Sequence, residues 1–149
     1  MAIYNLTIET EGEETIIFND DTNENGETID SVHFKMNTLN DDTLNRSSAV
    51  RCEMLIKGKI NIANRKETLK LAKWAMTRSG ENKLYREVKV EVFTDSGREQ
   101  LLREYKVDQM FCIDYDEEFK DNTENKETGE FTLYIAQREG KHTTDIFCE

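Results

Sequence analysis

The densest group of side chains with chemical potential is a set of four carboxylates, Asp114, Asp116, Glu117 and Glu118. Paired carboxylates can act as general acid and base, and clustered carboxylates can bind calcium. This segment lacks the turn glycine and the ligand spacing of a calcium-binding loop. Solvated carboxylates at the end of a strand explain it more simply. A small enzyme that uses residues 114–118 therefore stays open only as a rival interpretation.

Histidine and cysteine are too sparse to suggest a metal or nucleophile site. The histidines are His33 and His142, and the cysteines are Cys52, Cys112 and Cys148, without a CxxC or HxxxH spacing. The chain also contains no GxSxG, GxGxxG or GxxxxGK[ST] motif. We therefore expect no enzyme, with no catalytic, cofactor-binding or metal-binding residue. Three widely separated cysteines are interpreted as reduced thiols.

Length and charge limit the function classes. The 149 residues suit one domain, and the formal net charge of -11 argues against direct binding of nucleic acid or of an anionic membrane. No apolar run approaches the ~20 residues of a membrane span. The first residues show neither the basic nor the apolar region of a secretory signal. These features predict a protein that is made and assembled in the cytoplasm.

One amphipathic helix is predicted at about residues 65–79. Asn64 is a suitable N-cap with Glu67 three positions later, which is the capping-box pattern, and Gly80 is placed to end the helix. The apolar arc contains Leu69, Leu71, Ala72, Ala75 and Met76, with Trp74 at its border.

The opposite arc of this helix carries Lys66, Lys70 and Lys73. A lysine stripe usually marks a solvated helix surface. Because the chain as a whole is acidic, the same stripe also suits an outer docking face for an acidic neighbour. Both interpretations stay open at this point.

Alternating apolar and polar residues predict β-strands on both sides of the helix. The clearest strand runs from Val50 to Ile62, and Gly58 is suited to a bend in it. On the strand near residue 115, Phe111, Ile113 and Tyr115 share one face, opposite Met110. The polar stretch 37–47 is long for a hairpin connection, and loops of this length often carry function.

The order of these elements resembles that of the haemolysin-coregulated protein of type VI secretion and of the related tail-tube proteins of contractile phages, bacteriocins and other contractile injection systems. The likeness spans about residues 2–137. Its pieces are the helix Glu67–Gly80, the strand Arg86–Phe93, the Tyr-x-Val-x-Asp segment Glu104–Asp108, the strand Met110–Phe119 and the closing strand Gly129–Gln137.

This resemblance implies a mainly β fold: a single domain, residues 1–149, built as a small two-sheet β-barrel with one flanking α-helix. It implies a structural protein without cofactors, whose homohexameric rings stack into the hollow tube of a phage-tail-like or type VI-like particle. The implied partners are further copies of the chain, sheath, baseplate and tip proteins, and cargo in the lumen. It also implies release or injection of the protein as part of the particle.

In the resembled family an extended loop bridges neighbouring protomers, and the stretch 37–47 matches its position. The residues that this match assigns to the inter-protomer contact are Asn37, Asn40, Asp41, Asp42, Asn45 and Arg46. Charge pairs across such an interface are individually weak but are repeated around a ring.

The alternative is a monomeric β-barrel that binds a small ligand. Such a protein needs one dominant apolar cavity. The alternation seen here would fill a small barrel with side chains and leave little space, although the sequence alone leaves this alternative open.

Overall fold

A computed structural model of the chain describes residues 3–19, 28–38, 50–77, 84–94, 97–120, 129–138 and 144–148. These residues form eight strands and one helix. In chain order they are β1 (Ile3–Glu9), β2 (Ile16–Phe18), β3 (Ile29–Thr38), β4 (Val50–Ile60), α1 (Arg65–Ala75), β5 (Arg86–Phe93), β6 (Leu101–Phe119), β7 (Gly129–Gln137) and β8 (Thr144–Phe147).

The strands are antiparallel and follow the order β2-β1-β5-β6-β7-β4-β3, with β8 added beside β6. Strand β6 joins two halves of this sheet. Its first part pairs with β5 and, over residues 104–107, also with β8. Its second part pairs with β7, and the pairing changes from β5 to β7 at Met110. The mainly β fold with one flanking helix is confirmed. The barrel is not closed, because among the described residues the end strands β2 and β3 pair only with β1 and β4.

The backbone turns left-handed where β6 passes from one half to the other. Gln109 has a φ of 54°, which few residues other than glycine adopt. Its carbonyl accepts a hydrogen bond of 2.8 Å from the N–H of Arg138, and the Gln137 amide donates to the Asp108 carbonyl and carboxylate, each at 3.2 Å. Contacts from the end of β7 therefore hold this crossing in place.

The core lies between the two halves of the sheet and follows the predicted alternation. It includes Leu6 and Ile8 of β1, Val88 and Val90 of β5, Met54 and Ile56 of β4, and Leu133 and Ile135 of β7. Aromatic contacts add to this packing between distant strands. The ring centres of Phe18 and Phe131 are 6.3 Å apart, and those of the stacked Phe34 and Tyr105 are 4.1 Å apart. The packing of these side chains across the core therefore holds the two halves of the sheet together.

Helix α1 is shorter than the predicted span of 65–79. The N–H of Met76 is shared between the carbonyls of Ala72 and Lys73, and the N–H of Thr77 bonds to the carbonyl of Trp74. These tighter bonds to the third residue back end the α-helix at Ala75. Gly80, the predicted stop, lies outside the described residues. Within the described part of the chain, no helix has the length and apolarity of a membrane span.

The buried face of α1 differs from the predicted arc. Thr68, Leu71 and Trp74 are buried, whereas Leu69 is 52% and Met76 72% exposed. Placing Leu69 and Met76 on the core side was wrong. The indole of Trp74 is fully buried and donates a hydrogen bond of 2.8 Å to the Leu84 carbonyl, so the largest side chain sets the rotation of the helix.

The predicted capping box at the start of α1 is also wrong, because both side chains bind elsewhere. Asn64 accepts a hydrogen bond of 2.9 Å from the N–H of Asn61 and donates to Thr28 Oγ1 and to the Lys59 carbonyl. Glu67 accepts a bond of 3.0 Å from the N–H of Ile17 in β2. The two residues therefore tie the helix to the sheet instead of capping its free N–H groups.

Replacing Asn64 with alanine is expected to lower the free energy of unfolding by about 1–3 kcal/mol, because it leaves buried hydrogen-bonding partners unsatisfied. Asn64→Asp keeps the acceptor for Asn61 but loses the donors to Thr28 and Lys59 and places a buried charge against the Lys59 carbonyl, so a loss at least as large is expected. Urea unfolding under conditions where light scattering detects no assembly measures both changes. An alanine variant as stable as the unmodified protein would contradict this role.

Candidate interaction surfaces

The predicted carboxylate cluster lies along the second part of β6 and does not converge on one point. All four residues pair in register with residues of β7. Asp114, Asp116 and Glu118 alternate onto one face of the strand, and Glu117 lies on the other face beside Tyr115. All four carboxylates are exposed. Among the described residues, no group of three histidine, cysteine or carboxylate side chains is placed to hold a metal.

Tyr115 is the titratable group most affected by its surroundings in this segment. Its hydroxyl donates a hydrogen bond of 2.7 Å to Glu117. Burial, followed by this bond to a carboxylate, raises the pKa of the Tyr115 phenol. A phenol held in its protonated form by one neighbour stabilises the strand locally, and the arrangement gives no support to acid-base chemistry.

The cysteines occupy three different environments. Cys52 is fully buried in β4, where burial raises the pKa of its thiol to about 12. Cys112 is half-buried in β6, where burial and then the charge of Asp114 raise the pKa of its thiol to about 11. Cys148 is exposed. Because the thiolate is the reactive form, Cys52 and Cys112 lack the properties of a nucleophile.

Thiol labelling of the folded protein at pH 8 is expected to modify Cys148 first. The raised pKa of Cys112 lowers its thiolate fraction about 10²-fold, so its rate should be lower by a similar factor and rise with pH. Cys52 should react only after unfolding. Mass spectrometry of a labelling time course measures each site, and Cys148→Ser is the control that should remove the fast phase. Rapid labelling of Cys112 at pH 8 would contradict the buried placement.

The interior gives no support to a ligand-binding barrel. Its space is occupied by fully buried side chains from opposite halves of the sheet, such as Ile8, Met54 and Leu133. Two depressions lined by described residues are open to the surface. One lies between charged strands, and the other lies between α1 and the second part of β6.

The outer face of the first half of the sheet is a network of ion pairs. Lys89 lies 3.2 Å from Glu104 and 3.7 Å from Glu91, and Lys106 lies 3.8 Å from Glu87. The hydrogen bond with Glu104 raises the pKa of Lys89. Adjacent strands therefore neutralise part of each other's charge, as expected for a face that stays in contact with water.

The three lysines of the predicted docking face fall into two groups. Lys70 is engaged within the protein, because its Nζ lies 2.7 Å from Glu67 and 3.5 Å from Glu14. The bond to Glu67 raises the pKa of Lys70. Lys66 and Lys73 are exposed and make no ion pair with any residue in the described ranges.

Of the residues assigned to the predicted inter-protomer loop, only Asn37 lies within the described residues. Asn37 lies near the end of β3, where its backbone pairs with Arg51 of β4. The other residues of that prediction are Asn40, Asp41, Asp42, Asn45 and Arg46, and all of them lie outside the described residues. Their role therefore stays a prediction.

A half-buried ion pair on β4, close to this segment, was not predicted from the sequence. Glu53 is 5% exposed although it occupies the polar phase of β4, and its carboxylate lies 3.1 Å from Arg51. Ala136, its register partner on β7, is also fully buried. The only sequence signal was a pair of opposite charges two residues apart on one strand face.

Comparison with known proteins shows the fold. No protein-family model matches the chain, and no curated protein matches it. Among solved structures it is similar to Hcp1 from Flavobacterium johnsoniae, with 18% identity and a TM-score of 0.55 over 99% of both chains. It is also similar to the secreted protein Hcp3 from Pseudomonas aeruginosa, with 11% identity and a TM-score of 0.56 over 99% of this chain and 98% of that one.

A third similar structure belongs to a larger assembly. A chain of the sheath-tube complex of PVC, an extracellular contractile injection system, has 11% identity and a TM-score of 0.51, over 99% of this chain and 89% of that one. The described strands and helix thus have the Hcp-like fold across nearly the full length of the chain.

Proposed function

We propose that this chain is a structural protomer of the inner tube of a contractile injection system, which forms homohexameric rings that stack into a hollow tube. The observation that carries this proposal is the likeness over nearly the whole length of both chains to Hcp1 and, independently, to a chain of a sheath-tube complex.

Unpaired strand edges support a role in assembly. Within the described residues, β6 has no partner beyond Met110 on the side opposite β7, and no strand pairs with the outer edges of β2 and β3, although the Ile17 N–H of β2 is bound by Glu67. Such edges present N–H and C=O groups that another chain can pair with. Large apolar side chains are exposed on the same strands, including Ile17, Met36 and Phe119. These features suit a protein whose surface is completed by other copies.

The proposed role requires no catalysis and no cofactor. The exposed, divergent carboxylates of β6 and the protonated thiols of Cys52 and Cys112 are consistent with a function based on shape. Its partners in this proposal are further copies of the chain, sheath, baseplate and tip proteins, and cargo in the lumen. Assembly takes place in the cytoplasm, and the protein leaves the cell as part of the particle.

Negative-stain electron microscopy of the purified protein, together with light scattering, tests this proposal. Six-fold rings or hollow tubes, with a mass in multiples of six protomers, are expected. Assemblies of another symmetry would contradict the homohexamer. A protein that stays monomeric at every concentration tested and binds a small apolar ligand would favour the alternative barrel.

Replacing Thr38–Asn45 with a short Gly/Ser linker tests the bridging loop. The variant is expected to stay folded, because most of the replaced residues are polar, but to form no tubes. The matched control replaces residues 121–128, another polar stretch, with the same linker and should still assemble. Circular dichroism checks folding and electron microscopy counts tubes. Tubes of normal length from the first variant would exclude the segment as the bridge.

A further inference from the structure

The outward surface of α1 carries an unusual combination of residues, which we call the α1 stripe: Lys66, Leu69, Lys73 and Met76. Their spacings of three and four residues place them within an arc of about 80° on a helix with 3.6 residues per turn. The buried residues Thr68, Leu71 and Trp74 lie on the other side of the helix. The α1 stripe therefore points away from the core of its own protomer.

Both lysines of the α1 stripe are exposed and lack a carboxylate partner among the described residues. The adjacent Lys70 differs, since it is held by Glu67 and Glu14. The helix carries four basic residues and one acidic residue, although the whole chain has a net charge of -11. The stripe is thus a local positive region on an acidic protein.

The apolar members of the stripe alternate with its lysines. Leu69 is 52% and Met76 72% exposed, and neither belongs to the core of the protomer. Single exposed apolar side chains are common on protein surfaces, but here two of them alternate with two exposed lysines along one arc of the helix. A partner that covered both of them would remove apolar area from water while its charges met the lysines.

We infer that the α1 stripe docks an acidic amphipathic helix of a partner protein. In the docked state, apolar side chains of that helix cover Leu69 and Met76, and its carboxylates pair with Lys66 and Lys73. A helix fits because its own side chains repeat at three and four residues, which matches the spacing of the stripe. The acidic remainder of the protein disfavours an anionic membrane as the occupant.

This inference does not depend on the proposed tube, because it concerns the surface of one protomer. Two exposed ion pairs and two apolar contacts give a weak, salt-dependent interaction per copy. In any assembly that presents several copies of α1 to one partner, avidity strengthens such contacts by a factor of about 10²–10⁴.

A fluorescently labelled synthetic helix tests the inference by anisotropy. The probe carries glutamate and leucine on one face at spacings of three and four residues, and its matched form carries lysine in place of glutamate. We expect the acidic probe to bind the unmodified protein, and to bind it more weakly at 1 M than at 0.1 M salt, because the screening length falls from about 10 Å to about 3 Å. Lys66→Glu/Lys73→Glu should weaken binding at least tenfold and should create binding of the basic probe.

The matched control is Lys35→Glu/Lys57→Glu, which changes the net charge equally at exposed lysines on β3 and β4. It should leave binding of the acidic probe within twofold of the unmodified protein, and Leu69→Ala should weaken binding. Failure of the unmodified protein to bind the acidic probe would overturn the inference. Equal loss in both double variants, or binding of phosphatidylserine vesicles in place of the probe, would also overturn it. Electron microscopy of rings and tubes formed by Lys66→Glu/Lys73→Glu is a separate measurement. Its result bears on the proposed function and not on the binding of the probe.

Discussion

Replacing Trp74 with alanine is expected to lower the free energy of unfolding by about 3–5 kcal/mol, enough to unfold much of a marginally stable domain. The side chain is fully buried, and its Nε1 donates a hydrogen bond of 2.8 Å to the Leu84 carbonyl. The guanidinium of Arg86 lies 5.4 Å from the centre of the indole ring. The substitution therefore opens a cavity under α1 and also leaves the Leu84 carbonyl without the indole N–H that it accepts from.

Two further variants separate these contributions. Trp74→Phe keeps most of the volume but loses the bond to Leu84, so an intermediate loss is expected. Leu69→Ala, on the exposed side of the same helix, should change stability by less than about 0.5 kcal/mol. Unfolding is followed by far-UV circular dichroism, because Trp74 is the only tryptophan and its fluorescence is lost. If Leu69→Ala cost as much as Trp74→Ala, the assigned orientation of α1 would be wrong.

Replacing Gly58 with alanine is expected to lower the free energy of unfolding by about 1–3 kcal/mol. A Cβ atom at this position would lie 2.6 Å from the ring of Phe131 and 2.7 Å from the carbonyl oxygen of Thr28. Phe131 is fully buried, so its ring has no space to move into. The Thr28 carbonyl is also held, because it accepts a hydrogen bond of 2.8 Å from the N–H of Lys59.

Gly129→Ala is the matched control for Gly58→Ala. A Cβ atom there would also lie 2.6 Å from a phenylalanine ring, that of Phe119. Phe119 is 60% exposed and can rotate into solvent, so a loss below about 1 kcal/mol is expected. Urea unfolding of the two variants side by side measures the difference. Similar losses of unfolding free energy in the two variants would mean that the ability of the facing phenylalanine ring to move does not determine the destabilisation.

Several side-chain hydrogen bonds could not be predicted from the sequence, because residues far apart in the chain compete for the same donor or acceptor. The sequence around Asn64 and Glu67 fits a capping box, yet Asn61, Thr28 and Ile17 take their hydrogen bonds. These partners lie up to 50 residues away along the chain. A local pattern contains no information about such distant competitors.

Strand β6 shows the same limit for strand phase. Its register shifts between Cys112 and Asp114, so Met110, Cys112 and Tyr115 all face the core while Ile113 is exposed. Strict alternation placed Met110 and Tyr115 on opposite faces. A β-bulge changes the phase without a clear residue signature, because the pairing with β7 imposes it.

The sequence by itself determined the types and order of the main elements, since strands and helices differ in apolar period and these periods are local. It therefore predicted a mainly β fold with one flanking helix and a helix start near Asn64. Only the tertiary structure decided that Trp74 turns towards the core, that Lys70 is engaged by Glu67 and Glu14, and that Glu53 is buried. The physical reason is that burial and ion pairing depend on packing between distant segments, which no local pattern encodes.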